Sequence, residues 1–155
     1  MIAIASTAIT LALVFYTIGV FAERRAGTLK LSHIIFFYMG LVFDTAGTAV
    51  MSVIARGNSA NLAHATTGLL AIILMIIHAA WATIAYAKKN PETLSRFHRL
   101  SIGVWLVWLV PYVCGMLMGI PALKLDSNVA FAIAIATSVV AGLLIFGTEA
   151  KRLRQ

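Results

Sequence analysis

Residues 62–87 read LAHATTGLLAIILMIIHAAWATIAYA, a run without a single Asp, Glu, Lys or Arg. As an α-helix it would rise about 39 Å, more than the roughly 30 Å hydrocarbon core of a bilayer. It is therefore expected to span a membrane. The run also holds two histidines, His64 and His78, fourteen residues apart. Fourteen residues is just under four helical turns, so both imidazoles project from nearly the same face, roughly 21 Å apart along the axis. Ionisable groups inside a bilayer are costly and usually serve a function.

The rest of the chain repeats the pattern. Of its 155 residues, 61% are hydrophobic and only 11% charged, and the mean hydropathy is +0.97. A soluble domain carries about 25% charged residues. Four further apolar runs, about Ile2–Ala22, Leu31–Ala55, Leu100–Ile120 and Val129–Gly147, are each long enough to span. The expectation is an all-α integral membrane helical bundle of five transmembrane helices, residues 1–155 forming one domain. No basic residue precedes the first run, which continues into Glu23-Arg24-Arg25. A cleaved signal would have a charged start and a shorter apolar core, so this run is expected to be retained.

The net charge of +7 is a topology signal and not a nucleic-acid footprint. Arg24, Arg25, Lys30, Lys88, Lys89, Arg96, Arg99, Lys151, Arg152 and Arg154 would all fall on one side, leaving only Arg56 and Lys124 on the other. The positive-inside rule then places the N-terminus outside and the C-terminus in the cytoplasm. Cys114, the only cysteine, falls in the fourth span and excludes an intrachain disulfide.

Turn chemistry agrees with these spans. Arg56-Gly57-Asn58-Ser59 reads as a tight outer turn, with Ser59 or Asn61 as a cap for the third helix. Asn90-Pro91-Glu92 reads as a cap with proline at the first helical position, so the fourth helix should start well before its apolar part. Pro111 should kink it. Pro121 and Asp126-Ser127-Asn128 mark the next outer turn.

Unusual residues fall on one stripe of each middle helix. The second has His33, Phe37, Gly40, Asp44, Gly47 and Met51; the third has His64, Thr67, Ala71, Met75 and His78; the fourth has His98, Trp105, Leu109, Tyr112 and Met116. Three such stripes should converge. An inner haem b would sit between His78 and either His33 or His98, since haem iron takes imidazole axially. Arg24, Arg25, Lys30, Arg96 and Arg99 are placed to pair with its propionates. The blander reading of His33 and His98 is that an interfacial histidine only anchors a helix end. If those two form the haem site between them, His78 is freed for proton transfer. A second, outer haem at His64 would need Met51 or Met116, or a five-coordinate iron, although methionines in apolar helices usually just pack. Asp44 would relay protons, bind a quinone headgroup or hydrogen-bond a ligating imidazole; its blander role is a neutral acid bonded to a neighbouring Thr or Trp. Trp81, Trp105, Trp108 and Tyr112 would line a cofactor or simply fill the core.

Several stretches together carry a family resemblance. They are Leu13-Val14-Phe15-Tyr16-Thr17-Ile18-Gly19-Val20, Gly27-Thr28-Leu29-Lys30, Phe43-Asp44-Thr45-Ala46-Gly47-Thr48, Thr67-Gly68-Leu69-Leu70-Ala71-Ile72-Ile73-Leu74-Met75, His78-Ala79-Ala80-Trp81-Ala82-Thr83, and Val104-Trp105 with Trp108-Leu109-Val110-Pro111-Tyr112. Over about residues 10–118 the chain resembles the HsmA family of small bacterial membrane proteins. The resemblance implies a small helical membrane protein that binds haem, with His33, His64, His78 and His98 at motif positions. The family pattern has four spans, so the fifth span and its basic tail lie outside it.

Three kinds of function then stand open. The first is a b-type cytochrome of a bacterial inner membrane, exchanging electrons with a quinone, a redox partner or an oxidant. The second is a haem sensor or carrier without turnover. The third is a haem-free, proton-coupled membrane protein using Asp44 and the histidines. A homo-oligomer is compatible with each.

Overall fold

Every apolar run becomes an α-helix in the computed structural model, which describes residues 1–55, 62–120, 123 and 125–152. The helices are α1 (Ile2–Ala26), α2 (Leu31–Ala55), α3 (Leu62–Lys88), α4 (Pro91–Met118) and α5 (Ser127–Arg152). All five are long and apolar enough to cross a membrane. The chain is an all-α, multi-pass membrane protein, and no strand occurs among the described residues.

Helix ends follow from local chemistry. Helix α1 carries Glu23, Arg24 and Arg25 in its last turns and stops at Gly27, whose φ of 62° is left-handed. The Gly27 N–H bonds the Arg24 carbonyl at 3.4 Å, closing the helix where a side chain would be strained. At the start of α4, Oδ1 of Asn90 accepts the N–H groups of Glu92 (2.9 Å) and Thr93 (3.4 Å). Pro91 occupies the first helical position, where its missing N–H costs nothing. The expected early start of this helix is thus observed, and Pro111 remains inside it. Oδ1 of Asp126 takes the Asn128 N–H at 2.8 Å and opens α5 in the same way. The expected turn at Arg56–Ser59, the Asn61 cap and Pro121 lie outside the described residues, as does the side chain of His64.

By its contacts the chain divides into two units, Met1–Trp105 and Leu106–Gln155, with the division falling within α4. In the second unit, Cys114, Ala130 and Ala134 form a small core flanked by Val110, Val113, Leu117 and Phe131. The Ser138 hydroxyl donates to the Leu106 carbonyl at 2.6 Å. Such bonds hold helices together where lipid offers no hydrophobic contrast.

In the first unit α1 and α2 run antiparallel in close contact. Ala5, Ala12, Tyr16, Gly19, Val20 and Glu23 form the buried face of α1. They meet the His33, Phe37, Gly40, Asp44 and Gly47 face of α2, all of it buried. The approach is closest at two glycines. A Cβ on Gly40 would overlap the Tyr16 ring, and one on Gly47 would lie 2.5 Å from Ile9 Cγ1 and 3.0 Å from the Ala5 carbonyl. Phe15 stacks on Phe43 at 5.4 Å beside this seam. Tyr38 and Thr83 share a hydrogen bond at 3.1 Å between α2 and α3.

Candidate functional site

Residues of α2, α3 and α4 meet around the imidazole of His78. Helix α4 contributes Phe97 and Ser101 there and not the expected stripe, whose His98 and Trp105 turn to α1 instead. The His78 side chain is 2% exposed. The Phe97 ring lies nearly parallel to it at 4.9 Å, and Phe37 meets it edge-on at 4.9 Å. Trp81 closes the cluster against Phe97 at 5.7 Å. Phe97 therefore covers one face of the ring and Phe37 meets it at a steep angle, while its two nitrogens lie on the edge. Nε2 is 3.4 Å from the Ser101 hydroxyl, and Nδ1 is buried with no hydrogen-bond partner. Because a hydroxyl either donates or accepts, Ser101 is compatible with a lone pair on Nδ1. A buried polar atom left unpaired costs about 1–3 kcal/mol, so its persistence asks for an explanation.

His98 is held differently. Its Nδ1 lies 2.9 Å from Oε1 of Glu23, at the end of α1. Glu23 is 2% exposed, whereas His98 is about one-third exposed. With Glu23 ionised the carboxylate can only accept, and in that state Nδ1 carries the hydrogen and the lone pair of a neutral His98 is on Nε2. The second oxygen, Oε2, is buried without a hydrogen-bond partner. A carboxylate behind an imidazole fixes ring orientation and tautomer and raises basicity, as it does for metal-ligating histidines.

The third histidine is committed elsewhere. Nδ1 of His33 accepts the backbone N–H of Lys30 at 3.2 Å. Lys30 precedes the first residue of α2, so the third helical residue reaches back to an otherwise orphaned donor, as in a capping box. A backbone N–H can only donate, which puts the hydrogen of neutral His33 on Nε2 and leaves that ring no free lone pair. Of the two partners expected for His78, only His98 keeps one.

Asp44 is 4% exposed and accepts the Tyr16 hydroxyl on Oδ2 at 3.4 Å. A tyrosine of α1, which the sequence did not point to, is thus one of its partners. Trp105 is buried, donates from Nε1 to Thr17 Oγ1 at 3.1 Å and meets Phe21 edge-on at 5.6 Å. Trp108 is buried and stacks with Tyr112 at 5.5 Å. Arg99 is exposed. Arg96 bonds Glu92 at 2.7 Å on the exposed side of α4. Of the candidates for an outer site, Met51 is half-buried and Met116 is 50% exposed. Among the described residues no three His, Cys, Asp or Glu side chains gather as ligands of one metal ion.

Sequence reasoning missed Glu23, Ser101, Phe97 and Tyr16. Glu23 read as part of a charged loop, yet it lies seven residues from Tyr16, eleven from Ala12 and eighteen from Ala5. That helical spacing marked it as inward-facing. The other three are ordinary residues whose roles appear only through their partners. No family model matches the chain, and neither a curated protein nor a solved structure matches it.

Proposed function

We propose that this chain is a small b-type membrane cytochrome, binding haem b through His78 and His98 and exchanging electrons with a lipid quinone, a redox protein or a small oxidant. The observation that carries the reading is the buried Glu23 carboxylate on Nδ1 of His98, which leaves Nε2 as the ligating atom. The partnerless Nδ1 of His78 supports it, because an unsatisfied ring nitrogen in an aromatic cage suits a missing ligand. The resemblance to the HsmA family supports haem as that ligand. When bound, haem supplies a reversible one-electron iron couple whose potential depends on axial ligands and burial. The chain's own part is orientation and insulation. Glu23 holds His98 in one tautomer, Phe37 and Phe97 fix the His78 plane, and the packed aromatic shell keeps water away. Arg24, Lys30 and Arg99 supply cations for the propionates.

In the same reading, the basic ends face the cytoplasm of a bacterial cell and the N-terminus faces outward. The test is a reduced-minus-oxidised spectrum with a haem-to-protein ratio on purified protein. Wild type should be low-spin. His78→Ala and His98→Ala should each lose haem or become high-spin, while His64→Ala, roughly 21 Å from His78 along α3, should leave that site intact. A colourless protein from haem-replete cells would overturn the cofactor. A wild-type low-spin spectrum in either of the first two variants would overturn the ligand pair.

A further inference from the structure

The cytochrome reading assigns Asp44 no role, and its surroundings give it one of its own. It lies thirteen residues into α2, about 20 Å from the start of the helix. This is where a bilayer is driest and a carboxyl is most expensive. The seam at this point is tight, with Gly40 and Gly47 on either side of Asp44 giving α1 its closest approach. An apolar residue would fill such a place at lower cost, and interhelical hydrogen bonds in membranes contribute only about 0.6–2 kcal/mol. Packing alone is a weak reason for an acid here.

The distribution of buried polar groups is one-sided. Within the first unit they are Glu23, His33, Asp44, His78 and Ser101. His78 contacts Phe37 and Ser101, His98 contacts Glu23, and His33 contacts Lys30. Each contact falls on the Lys30 side of Asp44. On the other side the buried described residues are apolar: Ala5 and Ala12 of α1, Gly47 of α2, and Ala71 and Met75 of α3. The titratable and charged groups on the helices of this unit are Tyr16, Glu23, Arg24 and Arg25 of α1, His33 and Tyr38 of α2, His78, Tyr86 and Lys88 of α3 and Glu92, Arg96, His98 and Arg99 of α4. His64, at the far end of α3, has a side chain outside the described residues. Tyr16 bonds Asp44 directly, and its hydroxyl is able to steady the carboxyl when the proton leaves.

We infer that Asp44, with Tyr16, is a membrane-buried proton-binding site reached only from the end that carries Lys30, a half-path that stops at mid-membrane. Binding adds one proton to the carboxylate and release returns it to the same side. Each event moves one charge partway across the bilayer. The site does not need haem, so it stands or falls separately from the cytochrome reading.

The experiment is a pH step applied to proteoliposomes on a solid-supported membrane, with protein orientation fixed by limited proteolysis. Wild type should give a transient charge displacement, without sustained current, when the step is applied to the basic side. Asp44→Asn should abolish it, and Tyr16→Phe should slow it. Treatment of wild type with a hydrophobic carbodiimide, its adduct located at Asp44 by peptide mass, should abolish it too. That arm keeps the test decisive if Asp44→Asn does not fold. A wild-type response equal to that of empty liposomes would overturn the site, as would an undiminished response after Asp44 is modified. Equal responses from both sides would overturn the half-path.

Discussion

The Nδ1 of His98 lies 2.9 Å from Oε1 of Glu23, joining α4 to the end of α1 across 75 residues of sequence. A carboxylate this deeply buried is held by its partner, because burying a charge without one is far costlier than burying the pair. The arrangement also works in reverse: the carboxylate decides which nitrogen of His98 faces away. One contact thus links helix packing to the chemistry available at the ring.

If the pair holds the helices together, its two members are coupled energetically even without a cofactor. His98→Ala would strand Glu23 with both oxygens unpartnered, at a cost of about 1–3 kcal/mol. Glu23→Ala should cost less, since His98 is partly exposed and finds water. The double variant should be more stable than the sum of the single losses implies, with a coupling of roughly 0.5–3 kcal/mol. Thermal unfolding of the apoprotein and its three variants in one detergent measures this. Strict additivity would show that the contact carries no stabilisation.

The helix seam gives a steric prediction. A methyl group on Gly40 would overlap the Tyr16 ring, whereas one on Gly68 meets nothing within 4 Å. Gly40→Ala should therefore destabilise by about 1–3 kcal/mol through overpacking. Gly68→Ala should be neutral or slightly stabilising, because glycine is the poorer helix former. The two melting curves, recorded side by side, check this. Equal midpoints would mean that the seam yields more easily than its geometry indicates.

The five spans and the inward stripe of α2 were legible in the residues, because bilayer thickness and helical periodicity act on local sequence alone. On α4 the buried Phe97 and Ser101 lie off the expected stripe, whose Met116 is exposed. Asn90-Pro91 announced the start of α4 for the same reason: capping is settled within four residues. The roles of the histidines were not legible. His33 and His98 look alike as sequence, each near an apolar run and beside basic residues. What separates them is a partner, the neighbouring backbone N–H of Lys30 for one and a glutamate from another helix for the other. Glu23 itself was hidden by the two arginines that follow it, which made a buried residue read as loop. Asp44 stood out by its cost, but nothing local pointed to Tyr16.

Charge asymmetry predicts the orientation. Reporter fusions after Gln155 should behave as cytoplasmic, and fusions within residues 56–61 should report the outside. A pair of reporters active on opposite sides, such as alkaline phosphatase and a fluorescent protein, reads both positions. The reversed pattern would invert the side from which Asp44 is reached, while leaving the contacts among the helices unchanged.

The sharpest test separates capping from ligation at His33. Its Nδ1 accepts the Lys30 N–H, the bond that a glutamine or glutamate makes from the third position of a capping box. Glutamine has the acceptor but is no haem ligand of the usual kind. His33→Gln should therefore retain both stability and haem, whereas His33→Ala should lose about 0.5–2 kcal/mol from the missing cap and still bind haem. At His98 the order differs: His98→Gln can keep a hydrogen bond to Glu23 and preserve the fold, yet it removes the imidazole. Stability and the reduced spectrum, measured on all three, give two independent readouts. If His33→Gln folds well but loses its low-spin spectrum, His33 is the ligand opposite His78 and the backbone bond at Lys30 gives way when haem binds. If His98→Gln alone loses it, the carboxylate at Glu23 is the group that sets the haem-binding ring.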